Sequence, residues 1–250
     1  MKKLKKLSRT AAFFIVIFTA AQTAVLAQAI ELNFDFRGGT LGWTADFAGY
    51  PLATNSDGIY ELAAGIRFMP RKLTHVPRRG FYIQGHNRSD GLIMFLKRRL
   101  AAPEGVVAGQ DYRVEYVITV ASNAATGCAG VGGAPGEAVH LRAGASPIEP
   151  IPVLLPNGDL QTNINLIRTT SEAGNIANGI DCEIAFPVFP FALIERPAQL
   201  AKVTANNNGE VWLFVGTTSA FEGLTRLYYQ SIRVTLIPVA SETKVIKTKN

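Results

Sequence analysis

The aromatic side chains near the first turn of the chain could hold a ligand by stacking. Trp43 follows the Gly-rich stretch 38–42, and Phe47 and Tyr50 come shortly after it. An indole or phenol ring combines an apolar face with a polar group, which suits a flat ligand as well as a hydrophobic core. Trp43 and Tyr50 are therefore candidate ligand-binding residues, with core packing as the alternative.

A polar loop further along is the second candidate site. His86, Asn87, Arg88 and Asp90 lie between two strand-like segments. Binding groups are commonly displayed on such connections, and these four side chains offer both hydrogen-bond donors and acceptors. The alternative is a solvated turn.

Catalytic signatures are absent from the sequence. It contains no His-Glu-x-x-His, no Gly-x-Ser-x-Gly, no phosphate-binding Gly-x-x-x-x-Gly-Lys-Ser/Thr and no Cys-x-x-Cys. Two cysteines and three scattered histidines do not have zinc-site spacing, so neither a metal ion nor a cofactor is expected. Paired carboxylates could still meet in space, as glycoside hydrolysis requires. Spacing singles out no pair among Asp35, Asp46, Asp57, Asp90, Glu115 and Asp181.

The two cysteines, Cys128 and Cys182, are predicted to form a disulfide. A pair of cysteines in an exported chain is more often bridged than free. The bridge would staple the Gly-rich stretch 127–136 to the Asn-Gly turn near Cys182, with Cα atoms within about 7 Å.

The first 29 residues have the pattern of a secretory signal peptide. Five basic residues within the first nine are followed by an apolar run from Ala11, and small residues allow cleavage after Ala27 or Ala29. An uncleaved anchor is the alternative, but polar residues break the run short of the roughly 20 apolar residues that span a bilayer. The protein is thus expected to be secreted or periplasmic, without stable membrane insertion.

Charge argues against a nucleic-acid partner. Five of the 25 Lys and Arg residues lie in the signal segment, which leaves 20 basic against 19 acidic residues. The basic pI of about 9.4 therefore comes mainly from that segment. A local basic cluster around Arg71, Arg78 and Arg79 could bind an anionic polymer, or could be a solvated loop.

Strand periodicity dominates the rest of the chain. Apolar residues alternate with polar ones around 32–36, 112–120 and 232–236, which predicts strands with one buried face. Segments 92–96 and 211–215 are apolar on both sides and belong in the middle of a sheet or between layers. Nine or ten short strands separated by Gly and Asn turns predict one all-β antiparallel β-sandwich over 30–239, followed by a polar tail over 240–250. Residues 193–200 could form a short helix.

Both ends of this domain resemble the galactose-binding-like jelly rolls of carbohydrate-binding modules. An opening strand leads to Gly42-Trp43, and the closing strand contains the run Tyr228-Tyr229-Gln230-Ser231-Ile232-Arg233-Val234. Many such modules carry a calcium-binding Asp where this chain has Gln230 or Ser231, so no calcium ion is implied. The resemblance implies a non-catalytic carbohydrate-binding domain. An envelope protein-interaction domain and a glycoside-acting enzyme remain the alternatives, and the oligomeric state stays open.

Overall fold

Two antiparallel sheets, packed face to face, contain most of the strands. The computed structural model describes residues 28–53, 57–73, 78–88 and 91–240. Within these ranges the strands are β1 (Ile30–Asp35), β2 (Thr44–Ala48), β3 (Tyr50–Pro51), β4 (Ala63–Phe68), β5 (Arg79–His86), β6 (Ile93–Leu100), β7 (Asp111–Ser122), β8 (Val139–Ser146), β9 (Pro152–Leu154), β10 (Asp159–Thr162), β11 (Thr170–Asn175), β12 (Ala192–Thr204), β13 (Val211–Ser219) and β14 (Leu224–Val239). The described residues also form two four-residue α-helices, α1 (Leu166–Thr169) and α2 (Cys182–Ala185), and three-residue 3-10 helices at Phe36–Gly38, Arg71–Leu73 and Ala102–Glu104. The predicted antiparallel β-sandwich is confirmed.

The first sheet has the order β12-β7-β14-β5-β4, and the second has the order β11-β8-β13-β6-β2. The 16-residue strand β14 pairs with β7 along one edge and with two shorter strands along the other edge. Its first half pairs with β5 and its second half with β1, so the two ends of the described chain meet in one sheet.

Side-chain alternation fills the space between the two sheets. On β7, Tyr112, Val114, Tyr116, Ile118 and Val120 are all buried, while the residues between them point outward. This alternation is the pattern that the sequence predicts, because successive side chains of a strand point to opposite faces.

A further layer covers the outer face of the second sheet. Phe95 on β6 and Phe214 on β13 point away from the main core, stack at 5.1 Å and pack against Ile164. The covering segment contains α1 and the small sheet β3-β10-β9. The strands that are apolar on both sides therefore lie between two layers, as predicted.

The disulfide is present. Cys128 and Cys182 are bridged with their Cα atoms 5.1 Å apart, which confirms the predicted pairing. The two connected segments also share backbone hydrogen bonds, since Thr126 N donates to Ile180 O at 2.8 Å and Cys182 N donates to Thr126 O at 3.0 Å. The segment between the two cysteines also contains β8 and β11 of the second sheet.

Two expectations about secondary structure are wrong. The predicted helix over 193–200 belongs to β12, where Ile194, Ala198 and Leu200 point into the core. Pro197 is tolerated because β12 is an edge strand, where a missing N–H costs no ladder hydrogen bond. The described part of the chain also contains fourteen strands rather than nine or ten, and β12 and β14 are not short.

The predictions for the chain ends fall largely outside the described ranges. Residues 1–27 and 241–250 belong to the undescribed part, so the signal peptide and the polar tail remain predictions. β1 begins at Ile30, one residue after the second predicted cleavage position. Among the described residues, no helix combines the length and apolar character needed to cross a bilayer.

Candidate binding face

Trp43 and Tyr50, the aromatic candidates from the sequence, lie in the core. Trp43 is 1 % exposed and meets Phe34 and Phe36 in edge-to-face contacts, with ring centroids 5.5 and 6.4 Å apart. Tyr50 is buried against Tyr60, with centroids 4.9 Å apart. Both rings serve packing, the alternative interpretation, and neither offers a face to a ligand.

The polar loop separates into a structural residue and surface residues. Asn87 is buried, and its Nδ2 donates to Phe221 O at 3.0 Å and to Ser219 O at 3.3 Å, which holds the loop against the connection between β13 and β14. His86 and Arg88 reach the surface, where both contact Glu61. Asp90 lies outside the described residues.

Glu61 is held by these two basic side chains. His86 Nδ1 lies 2.8 Å from Glu61 Oε1, and an Arg88 guanidinium nitrogen lies 3.8 Å from the same oxygen. The contact with His86 lowers the pKa of Glu61 below its ordinary value, with further lowering by the charges of Arg88 and Arg226. The carboxylate is therefore already satisfied by the protein.

An aromatic cluster lies next to this group, on the outer face of the first sheet. Tyr82 on β5 stands opposite Tyr228 on β14 in the strand register, and their ring centroids are 4.7 Å apart. Phe191, the residue before β12, meets Tyr228 edge to face at 5.4 Å. Ala121 is the residue of β7 that pairs with Tyr228, and its small side chain leaves room for Phe191 to reach across the sheet. We call Phe191, Tyr228 and Tyr82 the aromatic row.

Polar side chains flank the aromatic row. Tyr82 Oη donates to Gln84 Oε1, and Gln84 Nε2 donates to the Glu61 carbonyl at 2.8 Å. The guanidinium of Arg67 rests on the ring of Tyr82, 4.1 Å from its centroid, so Tyr82 is only 3 % exposed. Tyr228 and Phe191 are partly exposed and form the accessible part of the row.

A small pocket adjoins the row at the end of the sandwich. Its volume is about 180 Å³, and it is lined in part by Cys128, Phe189, Phe221 and Arg226. Arg226 lies on the same face as Tyr228, two residues before it, so its side chain borders both the pocket and the aromatic row.

Asp46, one of the candidate acids in the described ranges, does not belong to an open acid pair. Asp46 and Glu149 come together, but each accepts a hydrogen bond at 2.7 Å from the ammonium of Lys97, which lies between them. Three further candidate acids in the described ranges have structural contacts: Asp35 with Arg37, Glu115 with Arg113, and Asp181 with the Glu183 amide in the first turn of α2. No group of three potential metal ligands occurs in the described ranges.

The sequence did not reveal the aromatic row. Tyr82, Gln84 and His86 do alternate along one strand, as do Arg226 and Tyr228, and this alternation was the available signal. What brings the two sets together is the pairing of β5 with β14, strands separated by more than 130 residues, and sequence alternation alone does not specify that pairing.

Comparisons with known proteins found similar solved structures at low sequence identity. No family model and no curated protein matches the chain. Among solved structures, the CBM22-1 xylan-binding domain from Paenibacillus barcinonensis is 13 % identical, with 86 % of this chain and 98 % of that chain covered and a TM-score of 0.37. A CBM61 module in complex with β-1,4-galactotriose is 10 % identical, with 80 % and 92 % covered and a TM-score of 0.34.

An adhesin domain of a Porphyromonas gingivalis gingipain is also similar, at 8 % identity, 82 % and 96 % coverage and a TM-score of 0.38. Carbohydrate-binding modules, the class that the sequence resembles, are thus found among the structural neighbours.

Proposed function

We propose that this chain is a non-catalytic, extracytoplasmic domain that binds carbohydrate on the outer face of its first sheet. The observation that carries the proposal is the aromatic row, which lies on a sheet face that no layer of the described residues covers. Tyrosine and phenylalanine rings present an apolar face to a ligand, and neighbouring polar groups can bond its hydroxyls. Gln84 and Arg226 are such polar neighbours of Tyr228.

Two features support a site of action outside the cytoplasm. The Cys128–Cys182 disulfide is typical of oxidising compartments. The predicted signal peptide would leave a chain that starts immediately before β1.

The test is to measure binding to plant and bacterial cell-wall polysaccharides by glycan array and calorimetry. Tyr228→Ala and Phe191→Ala should each weaken binding about five- to tenfold, since an aromatic contact contributes on the order of 1 kcal/mol. Phe68→Ala is the matched control, because Phe68 is exposed on β4 but points to the opposite side from Arg67. Absence of binding to every glycan at millimolar concentration would remove the proposal.

A second candidate function is protein binding at the segment on and after α2, next to the disulfide. Ile184, Phe186 and Val188 are 80, 70 and 71 % exposed, side by side on and after α2. Exposed apolar clusters of this kind are typical of interaction sites. Cross-linking in the native envelope should recover a partner with the wild-type protein and lose it with Ile184→Ser/Val188→Ser, whereas Tyr228→Ala and Phe191→Ala should retain it.

A further inference from the structure

The arginines on the outer face of the first sheet fall into two groups. Away from the aromatic row, each is paired with an acid: Arg113 with Glu115 at 3.2 Å, and Arg233 with Glu195 at 3.6 Å. At the aromatic row, Arg67 and Arg226 are exposed, and neither forms an ion pair with any residue in the described ranges. Unpaired guanidinium groups are thus concentrated where the aromatic rings are.

The two unpaired arginines flank the tyrosine pair. Arg67 lies against the ring of Tyr82, and Arg226 is two residues before Tyr228 on the same face, paired in register with Gln84. Both are close enough to act on the phenol. Burial is the main cause that raises the pKa of Tyr82 and the neighbouring Tyr228 raises it further, while the charges of Arg67 and Arg226 oppose that rise.

The nearby acid does not neutralise this surface. Glu61 contacts His86 and Arg88 and also interacts with the charge of Arg226, so this one carboxylate is shared among three basic side chains. The patch therefore combines a net positive charge with exposed aromatic surface. A guanidinium forms two parallel hydrogen bonds with a carboxylate or a sulfate, and its planar shape also stacks on rings.

We propose that the carbohydrate ligand is acidic, a polysaccharide whose sugar rings pack on Tyr228 and Phe191 while its anionic groups bind Arg67 and Arg226. This inference rests on the proposed function and specifies its ligand class. A uronate carboxylate and a sulfate ester share the required chemistry. A neutral glycan would leave both guanidinium groups without an anionic partner in the complex.

The test compares one polymer with and without its charge. Polygalacturonate is measured against its fully methyl-esterified form, and a sulfated polysaccharide forms a third arm that separates carboxylate from sulfate recognition. Wild-type protein should bind the acidic polymer at least tenfold more tightly than the esterified one. Arg67→Gln and Arg226→Gln should each lose about tenfold or more of that affinity, because hydrogen bonds between charged groups are the strong ones. The same variants should lose less affinity for the esterified polymer than for the acidic one, because the esterified polymer has no anionic group for the guanidinium to bind.

Arg113→Gln is the matched control, an arginine on the same face that is paired with Glu115. If it weakened binding as much as Arg67→Gln, attraction to the whole charged surface would explain the data and the inference would fail. Tight binding to esterified or other neutral glycans, without preference for the acidic form, would also overturn it but leave the proposed function intact. If the protein bound none of the three polymers and no neutral glycan, the result would count against both the inference and the proposed function. Circular dichroism and thermal unfolding would establish that each variant is folded.

Discussion

Lys97 and Arg99 allow a matched measurement of how burial changes the value of an ion pair. They lie two residues apart on the same face of β6, and both contact acids. The Lys97 side chain is 7 % exposed and its Nζ lies 2.7 Å from both Asp46 and Glu149. The Arg99 side chain is 57 % exposed and lies 2.9 Å from Glu210.

We expect Lys97→Met to lower the free energy of unfolding by about 1–3 kcal/mol. Methionine keeps much of the apolar stem, but removal of the charge leaves Asp46 and Glu149 without their shared partner. Breaking a fully buried pair costs about 3–5 kcal/mol. These carboxylates have side-chain exposures of 34 and 44 %, so water solvates them in part and the expected cost is smaller. Arg99→Met should cost less than about 1 kcal/mol.

Thermal unfolding of the oxidised protein at neutral pH measures both variants. At about 2–4 °C per kcal/mol for a domain of this size, a 2 kcal/mol loss corresponds to a Tm lower by about 4–8 °C. A Lys97→Met protein with the wild-type Tm, or an Arg99→Met protein destabilised as much as Lys97→Met, would refute the reasoning.

Alkaline pH gives a second readout of the same contact. Burial lowers the pKa of Lys97, but its hydrogen bonds to Asp46 and Glu149 outweigh burial and hold the pKa above its usual value of 10.5. A raised pKa contributes stability that is complete below the unfolded value and is lost as the pH rises through the folded value. The stability difference between wild type and Lys97→Met should therefore shrink above about pH 10.5. Buried tyrosines affect both proteins equally and cancel in this difference.

The strands and the layers could be predicted because the alternation of apolar and polar residues along a strand indicates which of its faces is buried. Residues 112–120 alternate and lie with one face in the core, and 92–96 and 211–215 are apolar on both sides and lie between two layers. The disulfide could be predicted because only two cysteines are present. These inferences depend on local pattern or on counting, and neither requires knowledge of which strands are neighbours.

The proposed binding face could not be predicted from the sequence because it depends on strand order. Trp43 has the residue type of a ligand-stacking group, yet it lies under the first turn and packs with Phe34 and Phe36. Tyr82 and Tyr228 become neighbours only because β14 is long enough to pair with β5 as well as β1. The helix over 193–200 was wrong for a related reason, since the pairing of β12 with β7 overrides local helical preference.

Three further changes test the remaining contacts. Gly144→Ala should lower the free energy of unfolding, measured in urea, by about 1–3 kcal/mol, because the added Cβ would lie 2.0 Å from the Thr169 carbonyl oxygen. A variant as stable as the wild type would show that α1 can shift to make room. Acid should destabilise the protein as the pH falls below about 4. The reason is that Arg37 lowers the pKa of Asp35, and Lys202 lowers the pKa of Asp111, in the folded state. A midpoint of urea unfolding that stays constant from pH 5 to 2 would contradict this. Replacing both cysteines by serine should cost about 2–4 kcal/mol, since the bridge closes a loop with a sequence separation of 54 and the chain-entropy limit is about 4 kcal/mol. The bridge joins the two segments around Cys128 and Cys182, so the amides of Thr126 and Cys182 should lose hydrogen-exchange protection first, while those of β7 keep theirs. Equal loss in both places would show that the bridge stabilises the whole sandwich rather than these two segments.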